Sequence, residues 1–201
     1  MLKKRLALSA VVTVCAVLRV QAASASPATE AFIQQNFDRG YTILNNTSLS
    51  DAERRDQFRA LLLQLAASRR IAVFALGSYA SGAAPGQIDA FVDSFTNHVV
   101  ALYERGLSRY NGQALKVIGS TDRAADDSMV QGNIVDPDQQ SRQPVSVAFR
   151  VRPNETGRLT VTDIQVGGLS LATIARVEIG ALMLQCNGSI SELNSRLNGM
   201  R

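Results

Sequence analysis

The residues able to do chemistry in this chain are few. His98 is the only histidine, and a general base needs a partner within hydrogen-bond reach. It falls inside a long helical stretch and reads as a solvated helix residue. A Ser-His-Asp triad would have to use it, and the G-x-S-x-G turn that presents a nucleophilic serine is absent. Gly77-Ser78-Tyr79-Ala80-Ser81-Gly82 is glycine-rich, but it has neither that spacing nor the lysine of a phosphate loop. Zinc requires clustered His, Cys or carboxylate ligands, and one His with Cys15 and Cys186 does not supply them. Asp122, Asp126 and Asp127 lack the D-x-D-x-D-G order of a calcium loop and read as a solvated acidic loop. A carboxylate pair for sugar hydrolysis is defined by its separation in space, which the sequence does not give. The absence of Trp removes the usual platform for stacking sugars or bases. The chain therefore points away from catalysis, and no metal or cofactor is expected.

The first 25 residues carry a different signal. Lys3, Lys4 and Arg5 form a basic start, Leu6 to Leu18 is apolar apart from Ser9 and Thr13, and Ala23-Ser24-Ala25 fits an Ala-x-Ala cleavage site. This is the pattern of a secretory signal peptide over residues 1–25. Its apolar run is shorter than the roughly 20 residues a spanning helix needs. The segment holds four of the 21 Lys+Arg residues and none of the 17 Asp+Glu, so residues 26–201 carry 17 of each sign. The basic balance thus belongs to the leader and does not argue for a nucleic-acid partner. Cys15 leaves with the leader. Cys186 is then alone, with no intrachain disulfide to form, and reads as a small apolar filler. The remaining residues 26–201 suit a single domain with its own core, in an exported, periplasmic setting.

The elements that would position any site are read from periodicity. Phe32, Ile33, Phe37, Tyr41 and Leu44 fall at helical spacing over 28–44. Ser50-Asp51-Ala52-Glu53 has the form of a capping box and opens a helix carrying Phe58, Leu61, Leu62 and Leu65. A further helix is predicted over 69–80, and the longest runs from Gly86 to Tyr110 behind Pro85. Four strands follow, at 116–120, 129–135, 144–152 and 159–166, the third alternating Val145, Val147, Phe149 and Val151 with polar partners. A polar loop is expected at 121–128, and Gly167-Gly168 is expected to end the sheet. Helices over 171–184 and 190–197 close the chain, the last behind a second capping box, Ser189-Ile190-Ser191-Glu192. Helices, then an antiparallel meander, then helices give an α+β fold with helices on one face of a curved four-stranded sheet.

Two segments, taken in order, carry a resemblance. The first is Arg70-Ile71-Ala72-Val73-Phe74-Ala75-Leu76-Gly77-Ser78-Tyr79, followed by Ala84-Pro85-Gly86-Gln87, Phe91, Phe95, Tyr103, Tyr110 and Gly112. The second is Thr162-Asp163-Ile164-Gln165-Val166-Gly167-Gly168-Leu169-Ser170-Leu171. Together they resemble the MlaC, or toluene-tolerance, family over nearly all of residues 26–201. The resemblance implies an NTF2-like shell around a deep apolar pocket. It also implies a non-catalytic periplasmic phospholipid carrier that serves outer-membrane lipid asymmetry. Its partners would be an inner-membrane ABC transporter complex and an outer-membrane lipoprotein complex. The chain departs from the family at Val151-Arg152, Thr162, Gly167 and Ala181 to Leu184, which leaves the ligand open between a phospholipid and a hopanoid-type lipid.

Each buried methylene is worth about 0.8 kcal/mol, so two acyl chains of about 30 methylenes place roughly 24 kcal/mol at stake. A carrier must wrap the tails in apolar surface. On the resemblance, Val145, Val147, Phe149, Ile164, Val166 and Leu169 provide one wall, and Phe74, Phe91, Phe95, Val99 and Tyr103 the other. Val145 and Leu169 are favoured because they fall where the family's pocket positions lie. Read without the resemblance, the same residues suit a filled core and a periplasmic adaptor domain.

Overall fold

A computed structural model describes residues 26–107, 110, 112–136 and 143–200; the expected signal peptide lies outside them. Six α-helices and five strands follow in the order α1 (Pro27–Leu44), α2 (Asp51–Leu65), α3 (Ser68–Leu76), α4 (Pro85–Leu107), β1 (Ala114–Ala124), β2 (Asp127–Val135), β3 (Val145–Pro153), β4 (Leu159–Val166), β5 (Leu169–Ser170), α5 (Leu171–Gln185) and α6 (Ile190–Gly199). The strands form one antiparallel meander in chain order.

Local chemistry explains the element starts. Ser50 accepts from the Glu53 backbone N–H while the Glu53 carboxylate accepts from the Ser50 N–H, a reciprocal capping box. Ser189 accepts from the Glu192 N–H, one half of the expected second box, while the Glu192 carboxylate accepts from Arg196; Ser170 accepts from the Thr173 N–H at the head of α5. Gly77 ends α3 at φ 64°, a left-handed conformation that glycine adopts without steric cost. A 3-10 turn over Gly77–Gly82 then replaces the end of the helix predicted to continue to 80.

The sheet departs from expectation in two places. It has five strands, not four. Gly167 and Gly168, both at positive φ, form a two-residue turn rather than a terminus, and the chain folds back so that Leu169 pairs with Val166. The polar segment 121–128 is not a loop: β1 and β2 continue through it to a tight turn, with Asp122 opposite Ser128. Polarity misled here because the ends of this hairpin are held by ion pairs. Asp127 is buried and accepts two bonds from Arg150, at 2.8 and 2.5 Å. Asp126 accepts from Arg152 at 2.7 Å. Asp127 is therefore not a solvated loop acid, whereas Asp126 lies in the turn and stays exposed.

The interior is divided. One buried cluster is helical and joins α3, α4, α5 and α6 through Leu76, Phe91, Met183, Leu193 and their neighbours. Cys186 is fully buried in it. The other joins Ile33 of α1 to the inner face of the sheet through Leu115, Val130, Val147, Phe149 and Val151. Most domains close one contiguous core; here two remain apart. Helix α2 bridges them thinly, with only Leu61 buried. Arg59 anchors it to α4 by bonds to Asn97 at 2.6 Å and Glu104 at 3.3 Å. The α2–α3 link is hooked to β4 by Ala67 N–H donating to the Val161 carbonyl at 2.9 Å.

The bonds from Arg150 hold the Asp127 carboxyl below the usual carboxylate range. A lowered folded-state value adds stability that is present above the unfolded value of about 3.9 and is lost as pH falls through the folded value. Asp127→Asn is expected to cost about 1–3 kcal/mol at pH 7, with the gap to wild type closing below pH of about 4. Urea denaturation across that range measures both effects.

Candidate lipid-binding chamber

Between the two clusters lies a cavity of about 400 Å³. Its floor is the sheet, through Phe149 of β3 and Val161 to Ile164 of β4. Phe32, Ile33 and Phe37 of α1 close one side, and Phe95, Val99, Val100 and Tyr103 of α4 face them. Phe58, Leu62, Leu63 and Leu65 of α2 form the roof, and Ile71, Leu171, Ala172 and Ala175 line the α3–α5 end. A second cavity of about 440 Å³ adjoins it toward Tyr41, Leu102, Tyr110 and Ile134. Both are lined by Asn36, Phe37, Phe58, Leu62, Leu65 and Tyr103, so α2 and Tyr103 stand at the partition of a two-lobed hollow.

Helix spacing creates this wall. On α4, Phe95, Val99 and Tyr103 follow at steps of four and so present one face. On α2, Phe58, Leu62 and Leu65 follow at steps of four and three and likewise share a face. The aromatic rings pack by their edges: Phe37 meets Phe149 at 5.2 Å between centroids in a T-shaped contact.

Polar groups in the wall are mostly spent inward. Asn36 donates to the Phe32 carbonyl at 2.7 Å, Thr162 to the Arg150 carbonyl at 3.2 Å, and Asp163 accepts from the Ala172 N–H at 3.0 Å. Thr96 Oγ1 is buried without a hydrogen-bond partner among the described residues. Tyr103 keeps 39% of its surface accessible, yet burial pushes its phenol up, helped by the nearby Asp163 charge. The two observations agree if that surface faces the hollow rather than bulk water. Tyr41, on the second cavity, is pushed up to about 12 by burial even though its oxygen accepts from the Leu115 N–H.

Of the residues expected to form walls, Phe95, Val99, Tyr103, Phe149 and Ile164 line the first cavity. Six others do not line either lobe. Phe91 is wholly buried in the helical cluster and packs on Phe95 at 5.6 Å. Val147 is buried in the sheet cluster. Phe74 lies on the outside of α3 beneath the Arg176 guanidinium, 5.0 Å from its ring. Val145, Val166 and Leu169 gather at the far end of the sheet and are 50%, 38% and 66% exposed. Sequence reasoning placed Phe32, Phe37, Phe58, Leu62 and Leu65 toward a core but not on the cavity. It passed over Leu171, Ala172 and Ala175. The only signal for the α2 set was its apolar spacing, which a filled core would share. His98 sits half-buried within α4 and does not line either lobe.

Helices laid against an antiparallel meander, with an apolar hollow held open between two half-cores, define an α+β chamber protein. The chain belongs to the MlaC family: the family model described as MlaC protein matches residues 34–199. Its fold is similar to that of a phospholipid-binding protein from Ralstonia solanacearum solved in complex with a phospholipid, with a TM-score of 0.70 and 20% sequence identity. The match covers 85% of this chain and 95% of that one. The expected NTF2-like arrangement is therefore not matched in detail; the shell is that of the MlaC fold, with five strands.

Side chains that border a hollow have fewer neighbours to lose than those in a packed core. Leu63, 41% exposed on the α2 wall, should lose less than about 1 kcal/mol on truncation to Ala. Leu193, fully buried in the helical cluster, should lose about 2–5 kcal/mol. Chemical denaturation of the two variants separates a chamber wall from a filled interior.

Proposed function

We propose that this protein is a periplasmic lipid carrier. It holds phospholipid acyl chains in the two-lobed hollow and shuttles lipid between an inner-membrane ABC transporter and an outer-membrane lipoprotein complex. The observation that carries the reading is the apolar hollow between two buried clusters that do not close on each other. Membership of the MlaC family and the likeness to a protein solved with a phospholipid support it. The leader expected over residues 1–25 supports export, and no helix among the described residues is long and apolar enough to cross a membrane.

The physics of carriage follows from the wall. A tail leaving a bilayer gives up about 0.8 kcal/mol per methylene if it enters water, and recovers it if it enters apolar side chains instead. Transfer between bilayer and protein is then close to balanced, so the cargo can be both loaded and released. Hydrocarbon tails accept no hydrogen bonds, which suits a wall whose polar groups are largely paired with the protein itself. The protein acts by enclosing its ligand, with no chemical step.

Filling the hollow tests this directly. Val99→Trp and Ala175→Trp project an indole into the first lobe from α4 and α5. Each variant should stay folded by circular dichroism and lose lipid uptake at least about tenfold, since a bulky ring displaces tail segments worth several methylenes. Native mass spectrometry of protein mixed with phospholipid reads the bound fraction. Folded variants that load lipid as wild type does would contradict the reading.

A further inference from the structure

At its α3–β4–α5 end the hollow changes character. Ile71, Thr162, Asp163 and Ala172 line both the apolar cavity and a smaller cleft of about 140 Å³ beside it. The cleft is the reverse of the chamber in chemistry: Arg70, Arg150 and Arg152 border it, with the hydroxyl residues Ser170 and Thr173. From this juxtaposition we infer that the cleft receives a phosphodiester, the phosphate of the lipid whose tails occupy the hollow.

The donors fit such a group. Arg150 spends Nε and Nη2 on Asp127, and Arg152 spends Nε and Nη2 on Asp126. Those bonds fix both guanidinium planes while leaving Nη1 of each without a bond among the described residues. A guanidinium has five N–H donors, so each arginine retains three, both Nη1 hydrogens among them, for a further acceptor. Arg70 forms no ion pair among the described residues and lies on the exposed side of α3. Ser170 Oγ accepts from the Thr173 N–H and keeps its own proton to donate.

Donor geometry, not net charge, selects the place. Asp127 and Asp126 balance Arg150 and Arg152, so these two arginines act mainly as oriented donors. Asp163, the carboxylate on the cleft wall, already accepts from the Ala172 N–H and offsets one cation. With the formal charges balanced, what the cleft offers an anion is donors: the Nη1 groups of Arg150 and Arg152 and the exposed guanidinium of Arg70, which no carboxylate engages among the described residues and which can meet phosphate oxygens two at a time. Elsewhere the hollow's lining brings no arginine to the tails.

This inference rests on the carrier reading, and the test keeps the two apart. Delipidated protein is offered dioleoylphosphatidylglycerol or dioleoylglycerol, which share tails and differ in the phosphate. Wild type is expected to bind the phosphate-bearing lipid about tenfold or more tightly, the scale of one charge-assisted hydrogen bond. Arg70→Glu should bring that ratio close to one while diacylglycerol binding and the melting temperature stay unchanged; Arg70→Lys should retain part of it. Equal binding of the two lipids by wild type, or a ratio that survives Arg70→Glu, overturns the inference and leaves the carrier standing. Uptake of neither lipid overturns the carrier itself. Inorganic phosphate alone, titrated calorimetrically, distinguishes the source of the anion: saturable binding lost in Arg70→Glu, without any lipid ratio, would make the cleft a free-phosphate site and overturn the headgroup assignment.

Discussion

Two hydrophobic clusters that do not meet set the terms for the rest of this molecule. Burying apolar surface is the main favourable term in folding, and an interior normally closes until few voids larger than a water remain. Here α3 to α6 close on one another, α1 closes on the sheet, and the faces left over look across a gap. Those faces are apolar, so water gains little by filling the space. The unsatisfied partner of that surface is hydrocarbon. Anything that fills the gap with methylenes completes a core that the chain leaves open, and it stabilises the folded state by mass action.

Holding a gap open requires supports that do not rely on filling it. The sheet supplies one, since its register is fixed by main-chain hydrogen bonds and by the Arg150–Asp127 pair where β2 and β3 meet. The helical cluster supplies another, with Phe91, Met183 and Leu193 packed to exclusion of solvent. Helix α2 differs from both. It contributes Phe58, Leu62 and Leu65 to the two lobes, buries only Leu61, and is held to α4 through Arg59.

Much of this was legible in the sequence, and the rest was hidden for physical reasons. Capping residues Ser50 and Ser189, the alternation from Val145 to Val151 and the stripe on α4 located their elements because each signal is local. The β1–β2 hairpin was misread at 121–128 because its polar residues are satisfied by Arg150 and Arg152, which come from another strand some 25 residues on. The site was harder. Phe91 and Phe95 are one helical turn apart, equally apolar and both buried in the helical cluster, yet of the two only Phe95 also borders the hollow. No pattern separates them, because a pocket wall and a core wall have the same composition. What distinguishes them is whether a neighbouring element arrives on the other side. The same limit explains Val145 and Leu169, whose apolar character fits a wall but whose place at the end of the sheet leaves them open.

The central claim concerns where hydrocarbon sits, and a heavy-atom label locates it. Crystals of the protein loaded with a phospholipid brominated along both chains would carry an anomalous signal at each bromine. Peaks bounded by Phe95, Val99, Leu62 and Ile164 are the predicted result. A lipid whose bromines lie only on the outer surface, with side chains closing the space between the sheet and α4, would contradict the account.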